Sequence, residues 1–567
     1  MDALAVYQAW LNDPLIDEAT KAELHQLRDN QVELADRFFG WLEFGTGGMR
    51  GKIGAGTNRM NVYTVRLATQ ALANTLLAKG NHTKGVAIAY DSRRMSKEFA
   101  ETAAQVLVGN GIPVYLFTEI APTPLLSFAV RHHGTAAGLV ITASHNPPEY
   151  NGYKAYNSRG VQMLPEEASQ ISQQMKSLSL EAVQLADDPA NSPLWHEIGE
   201  ETIAAYYEAA LSCTPAVDPG DLNLLYTPLH GTGARFVPEM LARAGFRNVR
   251  TAQAQMVPDG SFPTLPLPNP EEQDAFALSM ELAKADPCDL ILATDPDADR
   301  VGVAVWDGEK WHLLNGNQVG VLLTDFLLAN MSPAERDGGV IVKTIVTTEM
   351  VVPIAQKYGV EVTNTLTGFK YIGELMDELP KAGKHFIFGF EESYGYLAGT
   401  AVRDKDAVLT SVLVAKMAAH YKRQGKSLVH RLDELMAEHG CYLEGLRSYS
   451  FSGSVEAQRA REFIAQLREE PLREIAGEQV EIVRDYGRSV QINLVQGGSK
   501  PIDLPKEDVI QWLTDKESKI TIRPSGTEPK MKLYLGVKAG SASAGRKRLG
   551  TLESAFDALI QAGLRKE

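Results

Sequence analysis

Ala137-Gly138-Leu139-Val140-Ile141 runs straight into Thr142-Ala143-Ser144-His145-Asn146-Pro147-Pro148. Five apolar residues without alternation read as a strand buried on both faces, the kind that builds parallel sheets, and such sheets carry their chemistry at the carboxyl ends of the strands. The two prolines fix their own φ angles, remove two backbone donors and disfavour helix at Asn146, so the chain must turn just past the serine. The expected result is a rigid, exposed loop that presents one hydroxyl. In an extended loop His145 points away from its neighbour, which argues against a Ser-His pair. Thr142 and Asn146 stand where the Gly-x-Ser-x-Gly elbow needs glycine, so that hydrolase motif is absent too.

The same pattern recurs. Apolar runs at Gly85–Tyr90, Leu222–Tyr226, Leu290–Thr294, Gly339–Val342 and His385–Phe388 alternate with helical periodicity at Ser96–Val108, Pro238–Ala244, Gln318–Asn330 and Ala407–Gln424. Strands alternating with helices predict three similar α/β units in series with mainly parallel sheets. From about Tyr449 the pattern changes to one helix and several strands, which predicts a smaller α+β domain. The expected boundaries are 1–200, 201–320, 321–448 and 449–567, with linkers at Ser177–Ser192 and Ser448–Ser454 and an extended proline-rich loop at Val257–Pro270.

Composition narrows the function. The chain has 567 residues, 44 % hydrophobic and 22 % charged, which is ordinary for folded globular domains and several cores. Its formal charge of −15 argues against binding nucleic acid or an anionic membrane, since a polyanion needs a basic face. Cys213, Cys288 and Cys441 have no paired spacing, so neither a disulfide framework nor a zinc site is expected and reduced cytoplasmic thiols fit. The first 27 residues carry five carboxylates, unlike a signal peptide, and no stretch is apolar enough to span a bilayer.

Five other loops carry chemistry. Asp295-Pro296-Asp297-Ala298-Asp299-Arg300 follows a strand and gathers three carboxylates within five residues, which repel one another unless a hard divalent cation joins them. An EF-hand is ruled out, because Arg300 and Trp306 occupy its glycine and glutamate positions. Gly45-Thr46-Gly47-Gly48-Met49-Arg50-Gly51-Lys52 is no Walker loop but permits close approach of an anion to the backbone. Arg523-Pro524-Ser525-Gly526-Thr527 combines a bidentate donor, two hydroxyls and backbone N–H groups, a set suited to a phosphate monoester. Gly389-Phe390-Glu391-Glu392-Ser393 suits adjacent sugar hydroxyls, and Arg403-Asp404-Lys405-Asp406 offers a lysine that its neighbours could tune for proton transfer. A serine beside a metal points to phosphoryl transfer.

In this order, these loops resemble the α-D-phosphohexomutase family, and the wording of the serine and aspartate loops is similar to its larger phosphoglucomutase and phosphopentomutase branch. The resemblance covers nearly the whole chain. It implies three α/β domains and a C-terminal α+β domain of TATA-binding-protein-like shape around a central cleft. By resemblance, Ser144 carries the phosphoryl group and, with Asp295, Asp297 and Asp299, binds Mg²⁺. Arg50, His145, Lys154 and Arg300 flank that centre, and Lys405 matches the proposed general acid or base. Thr367 and Gly368 match the loop that distinguishes sugars, Glu391 and Ser393 would hold sugar hydroxyls, and Arg523, Ser525, Gly526 and Thr527 would hold the unreacting phosphate. Phe369-Lys370 after that loop, Gly47-Gly48-Met49-Arg50, and the lack of a histidine after Ser393 depart from the smaller mutases and bear on sugar preference.

The implied reaction converts glucose 1-phosphate to glucose 6-phosphate through phosphoserine, with glucose 1,6-bisphosphate as intermediate and activator, in a cytoplasmic monomer or weak homo-oligomer whose partner is a small phosphosugar. The alternatives are a phosphopentomutase on ribose or deoxyribose 1-phosphate, a glucose-1,6-bisphosphate synthase, and an inactive sugar-phosphate-binding protein.

Overall fold

The computed structural model describes residues 2–45, 48–451, 453–524 and 530–565. Among these residues the strands form sheets of seven, five, four and eight strands. The chain clusters into two compact units, one made of Met1–Val319, Gly338–Val340 and Gly368–Val429, the other of Gly320–Asp337, Ile341–Thr367 and His430–Glu567. No helix among the described residues is long and apolar enough to cross a membrane.

In the first unit Ala137–Ile141 is a strand with all five residues buried, as its unbroken apolar sequence requires. It runs parallel to Val86–Tyr90, which is parallel to Val114–Phe117. The helix Ser96–Gly109 packs Phe99, Ala100, Ala103 and Leu107 into the same core, at the three- and four-residue spacing read from the sequence. Glycine ends the helix Thr123–His133, where Gly134 takes φ of 65° and closes the last turn.

The sheets are mixed rather than wholly parallel, and the departures fall at the loops that matter. Ala137–Ile141 turns back into the antiparallel strand Tyr150–Asn157. Leu290–Thr294, parallel to Leu224–Thr227, turns back into antiparallel Val301–Trp306. His385–Glu391 turns back into antiparallel Gly395–Ala398. The serine, aspartate and glutamate loops therefore occupy equivalent places in three similar units: each is a hairpin connection at the carboxyl end of a strand. The repetition is the physical content of three α/β units in series.

Several boundaries move. The helix expected at Pro238–Ala244 begins earlier, at Gly233, with Pro238 inside it. Residues 3–38, read only as lacking a signal sequence, form the helices Ala3–Asn12, Glu18–Gln26 and Gln31–Phe38, whose Tyr7, Trp10, Leu24, Leu34 and Phe38 pack against Tyr63.

In the second unit, Cys441–Ser450 pairs along its length with antiparallel Lys530–Ala539. The stretch expected to be a linker from Ser448 thus opens as strand. Further antiparallel partners are Lys519–Pro524, Ile510–Thr514 and Glu478–Asp485. Phe463 and Ile464 of the helix Gly453–Glu469 and Leu552, Phe556 and Ile560 of the helix Ala542–Arg565 share a core with Trp512, Leu533 and Leu535. A C-terminal α+β domain is what the strand-and-helix pattern predicted.

Candidate active site

Ser144 sits at φ 52°, in the left-handed region that a residue with a Cβ seldom adopts. Its N–H bonds Thr142 Oγ1 at 2.8 Å, and Asn146 N–H bonds the Ala143 carbonyl at 3.1 Å, closing the turn that the prolines demanded. Gly152 on the returning strand makes room for it, because a Cβ there would lie 2.5 Å from the Thr142 carbonyl oxygen. The loop is not exposed as expected: Ser144 is 3 % accessible, covered by the aspartate loop and by Arg93.

The Ser144 hydroxyl donates to Asp295 Oδ2 at 2.6 Å. His145 Nδ1 lies 3.1 Å from the same Oγ, contrary to the sequence reading. Neighbouring side chains point apart only along extended backbone, and the left-handed turn at Ser144 swings the two together. Burial, with Arg300 and Arg50 nearby, pushes His145 well below its usual range, so the ring is neutral.

Asp295, Asp297 and Asp299 are buried, with one oxygen of each within 4.8 Å of the others. Asp295 Oδ1 accepts the backbone N–H of Asp299 at 3.1 Å and of Arg300 at 2.9 Å, so the hairpin wraps around its own first carboxylate. Asp297 Oδ2 accepts Thr123 Oγ1 at 2.8 Å and Lys154 Nζ at 2.7 Å. Asp299 Oδ2 lies 3.2 Å from Lys154 Nζ and 3.1 Å from Lys405 Nζ. Asp297 Oδ1 and Asp299 Oδ1, by contrast, are buried with no hydrogen-bond partner among the described residues, although Arg300 Nε stands 3.9 Å from Asp299 Oδ1. Orphaned carboxylate oxygens are costly unless something cationic meets them, and an all-oxygen donor set suits a hard divalent ion. The residues fit such a metal.

The titration pattern agrees. Burial, reinforced by Asp297 and Asp299, raises Asp295 well above the carboxylate range. Burial also opposes ionisation of Asp299, but Lys154, Lys405 and Arg300 outweigh it and hold that carboxyl low. Lys405 is buried, yet Asp299, Asp404 and Glu391 overcome the cost of burial and push its pKa up, so it keeps its proton. Glu391 moves the other way: burial and Glu392 lift it to about 7 against the pull of Lys405 and Arg300. Its Oε1 accepts the Gly368 N–H at 2.8 Å. Arg300 is held by Glu271 at 2.5 Å.

The first unit thus brings together Ser144, His145, the three aspartates, Lys154, Arg300, Gly368, Glu391 and Lys405. Arg50 reaches the serine loop through Asn146 Oδ1 at 2.9 Å. Ser393 is half-buried on the glutamate hairpin. Thr367 and Arg523 belong to the second unit, where Glu507 Oε1 accepts Arg523 Nε at 2.9 Å. Ser525, Gly526 and Thr527 lie outside the described residues, as do Thr46 and Gly47. Arg93 lies in Asp91-Ser92-Arg93-Arg94, a polar loop the sequence marks at a strand end without giving that residue a role, and Glu271 carries no signal, because a single residue on a loop has no spacing pattern.

Fold and site define a repeated α/β protein whose serine faces a buried carboxylate triad that could hold a cation. The profiles for Phosphoglucomutase/phosphomannomutase alpha/beta/alpha domains I, II and III match residues 42–182, 204–308 and 315–439. A phosphoglucomutase from Staphylococcus aureus is 36 % identical over 90 % of this chain and 92 % of its own. One from Staphylococcus saprophyticus is 34 % identical over 93 % and 96 %. The structure of a Phosphoglucomutase/phosphomannomutase family protein from Burkholderia thailandensis, 18 % identical, superposes with a TM-score of 0.67 over 92 % of this chain and 97 % of that one. The chain belongs to the phosphoglucomutase/phosphomannomutase family, the α-D-phosphohexomutases.

Proposed function

We propose that this enzyme interconverts glucose 1-phosphate and glucose 6-phosphate through a phosphoryl group carried on Ser144. The observation that carries the reading is the 2.6 Å contact between the Ser144 hydroxyl and the buried aspartate triad. A binding protein has no need to bury a hydroxyl against three carboxylates, whereas a serine that holds and releases a phosphoryl group needs a cation there. Asp295, Asp297 and Asp299, with the Ser144 phosphate, would hold Mg²⁺. When bound, the metal neutralises charge that develops on the transferring phosphoryl oxygens.

The protein's own groups account for the rest. In the first half-reaction the P–O bond to Ser144 breaks and one to the free sugar hydroxyl forms, giving the bisphosphate; the sugar hydroxyl loses its proton. Glu391, titrating at about 7, is the group available to take that proton. Lys405 retains its proton and supplies positive charge and a donor beside Asp299. Through Glu391 the sugar hydroxyl's proton ends on the Ser144 oxygen set free; after the bisphosphate turns over, the P–O bond between the sugar and its other phosphoryl group breaks and one to Ser144 Oγ forms, and the serine proton returns to the sugar oxygen set free. Lys154 and Arg300 hold the triad and meet phosphoryl charge, and Arg50 and His145 border the serine.

Glu391, Ser393, Thr367 and Gly368 would grip the sugar, while Arg523, Ser525, Gly526 and Thr527 hold the unreacting phosphate. These roles assign phosphoserine, metal, sugar and phosphate loops to domains at 1–200, 201–320, 321–448 and 449–567. Glucose 1,6-bisphosphate is the activator, since it can load Ser144. Three free cysteines accord with work in the cytoplasm, as a monomer or weak homo-oligomer.

The test is to incubate the protein with glucose 1,6-bisphosphate and Mg²⁺ and map phosphate by peptide mass spectrometry. The reading expects it on the peptide containing Ser144 and lost on adding glucose 1-phosphate; phosphate elsewhere, or none, contradicts it.

A further inference from the structure

Outside the groups assigned to substrate, one buried cation directs its hydrogen bonds to the backbone of the serine loop. Arg93 donates to the Ser144 carbonyl from Nη2 at 2.6 Å and Nε at 3.2 Å. Its Nη1 reaches the carbonyls of Pro147 at 2.9 Å and Tyr150 at 3.1 Å, and Nη2 also bonds that of Asn146. Four carbonyls of one short loop therefore converge on one guanidinium. Pro147 and Pro148 contribute no N–H to any local ladder; the Pro147 carbonyl also accepts the Tyr150 N–H at 3.1 Å, but without this donor set the Ser144 and Asn146 carbonyls would need water in a site where Ser144 is 3 % accessible.

The guanidinium is itself fixed. Asp91 lies 3.6 Å from Nε, with both side chains fully buried. Asp91 is anchored in turn, accepting Ser96 Oγ at 2.7 Å and the Arg93 N–H at 2.9 Å. Phe262, from the proline-rich loop, lies with its ring centroid 5.0 Å from Arg93 Cζ and is held at φ 49°. Gly260 on the same loop approaches so closely that a Cβ would sit 2.5 Å from the Arg94 nitrogen. A guanidinium with five donors, braced by a carboxylate and an aromatic face, can serve four carbonyls at once; an ammonium has three donors.

We propose that Arg93, braced by Asp91 and Phe262, is the positioning residue that sets Ser144 Oγ against Asp295 for phosphoryl transfer. The residue holds the backbone of Ser144 and makes no hydrogen bond to the Ser144 hydroxyl or to the three aspartates. Its effect runs through the left-handed turn at Ser144: relaxing the carbonyl clamp lets the serine move off its 2.6 Å contact with Asp295. The loss belongs to the chemical step, since sugar and phosphate are gripped elsewhere. The inference rests on the phosphoserine reading for its kinetic consequence but not for the clamp itself.

The experiment compares the full-length chain with Arg93→Lys, Arg93→Ala and the milder Phe262→Leu, each checked for cooperative unfolding. With glucose 1-phosphate, Arg93→Lys should lower kcat about ten- to a hundredfold with KM changed by less than about threefold. Guanidinium at millimolar concentration should restore part of the Arg93→Ala activity where equal NaCl does not. Hydrogen exchange of peptides covering 142–151 should quicken in all three variants, with no substrate present. Phe262→Leu should move both readouts in the same direction, and it keeps the test decisive where Arg93 variants do not fold. A folded Arg93→Lys or Phe262→Leu chain with kcat within about twofold of the parent and unchanged exchange at 142–151 overturns the proposal. A parent chain that never turns over glucose 1-phosphate overturns the functional reading alone, and faster exchange in the variants would still support the clamp.

Discussion

Ser144 Oγ and Asp295 Oδ2 lie 2.6 Å apart, although 151 positions separate them in the chain. Each stands on a hairpin at the end of a strand in a different α/β unit, so the contact exists only when both units are folded and packed. Ser144→Ala should therefore remove turnover to background while changing glucose 1-phosphate affinity by less than about threefold, since the hydroxyl holds no sugar. A coupled assay and calorimetry check both halves.

Lys154 is 6 % accessible and is shared between Asp297 and Asp299. Lys154→Met keeps the bulk but leaves buried Asp297 with only the Thr123 hydroxyl on Oδ2 and Asp299 Oδ2 with Lys405 alone, a loss of about 3 kcal/mol in the absence of divalent cation. Urea unfolding with and without Mg²⁺ should show the defect shrink when the cation is added, because the ion meets the same oxygens.

Chelation probes the triad directly. EDTA should abolish activity and lower the melting temperature, and Mg²⁺ at about a hundredfold excess over its dissociation constant should restore about 2.7 kcal/mol. Asp297→Asn should weaken that response. Stability indifferent to Mg²⁺ would contradict a resident metal at these aspartates.

Glu391 gives a signed pH dependence. Burial lifts its carboxyl from the usual 4.5 to about 7 in the folded chain, so between those values the folded state holds a proton that the unfolded state has lost. Stability is thus highest, for this group, below pH 4.5 and falls as pH rises towards 7, by about 3 kcal/mol at most. Glu391→Gln should remove this component of the slope in metal-free thermal scans across that range.

What was legible in the sequence follows from what is local. The strand Ala137–Ile141 shows itself because burial on both faces leaves no polar residue to interrupt it, and the aspartate loop because three carboxylates at alternate positions have few other uses. The returning strand Tyr150–Asn157 was not legible. Its sequence, Tyr-Asn-Gly-Tyr-Lys-Ala-Tyr-Asn, reads as polar, yet seven of its eight residues are buried, because Lys154 spends its ammonium on the aspartate triad and Asn151 its amide on Ser96 and the Arg94 carbonyl. The strand Cys441–Ser450 was hidden for another reason: it is half-buried, and its partner lies some ninety residues downstream. His145 was misplaced because its direction depends on a backbone turn at Ser144 that residue type alone does not announce.

The central claim is that this chain moves a phosphoryl group on a hexose. The most direct test is ³¹P NMR of the protein with Mg²⁺, catalytic glucose 1,6-bisphosphate, and equimolar glucose 1-phosphate and ribose 1-phosphate. The account predicts rapid loss of the glucose 1-phosphate resonance to the 6-phosphate, with the ribose signal largely intact. Preferential loss of ribose 1-phosphate, or persistence of both, would contradict it.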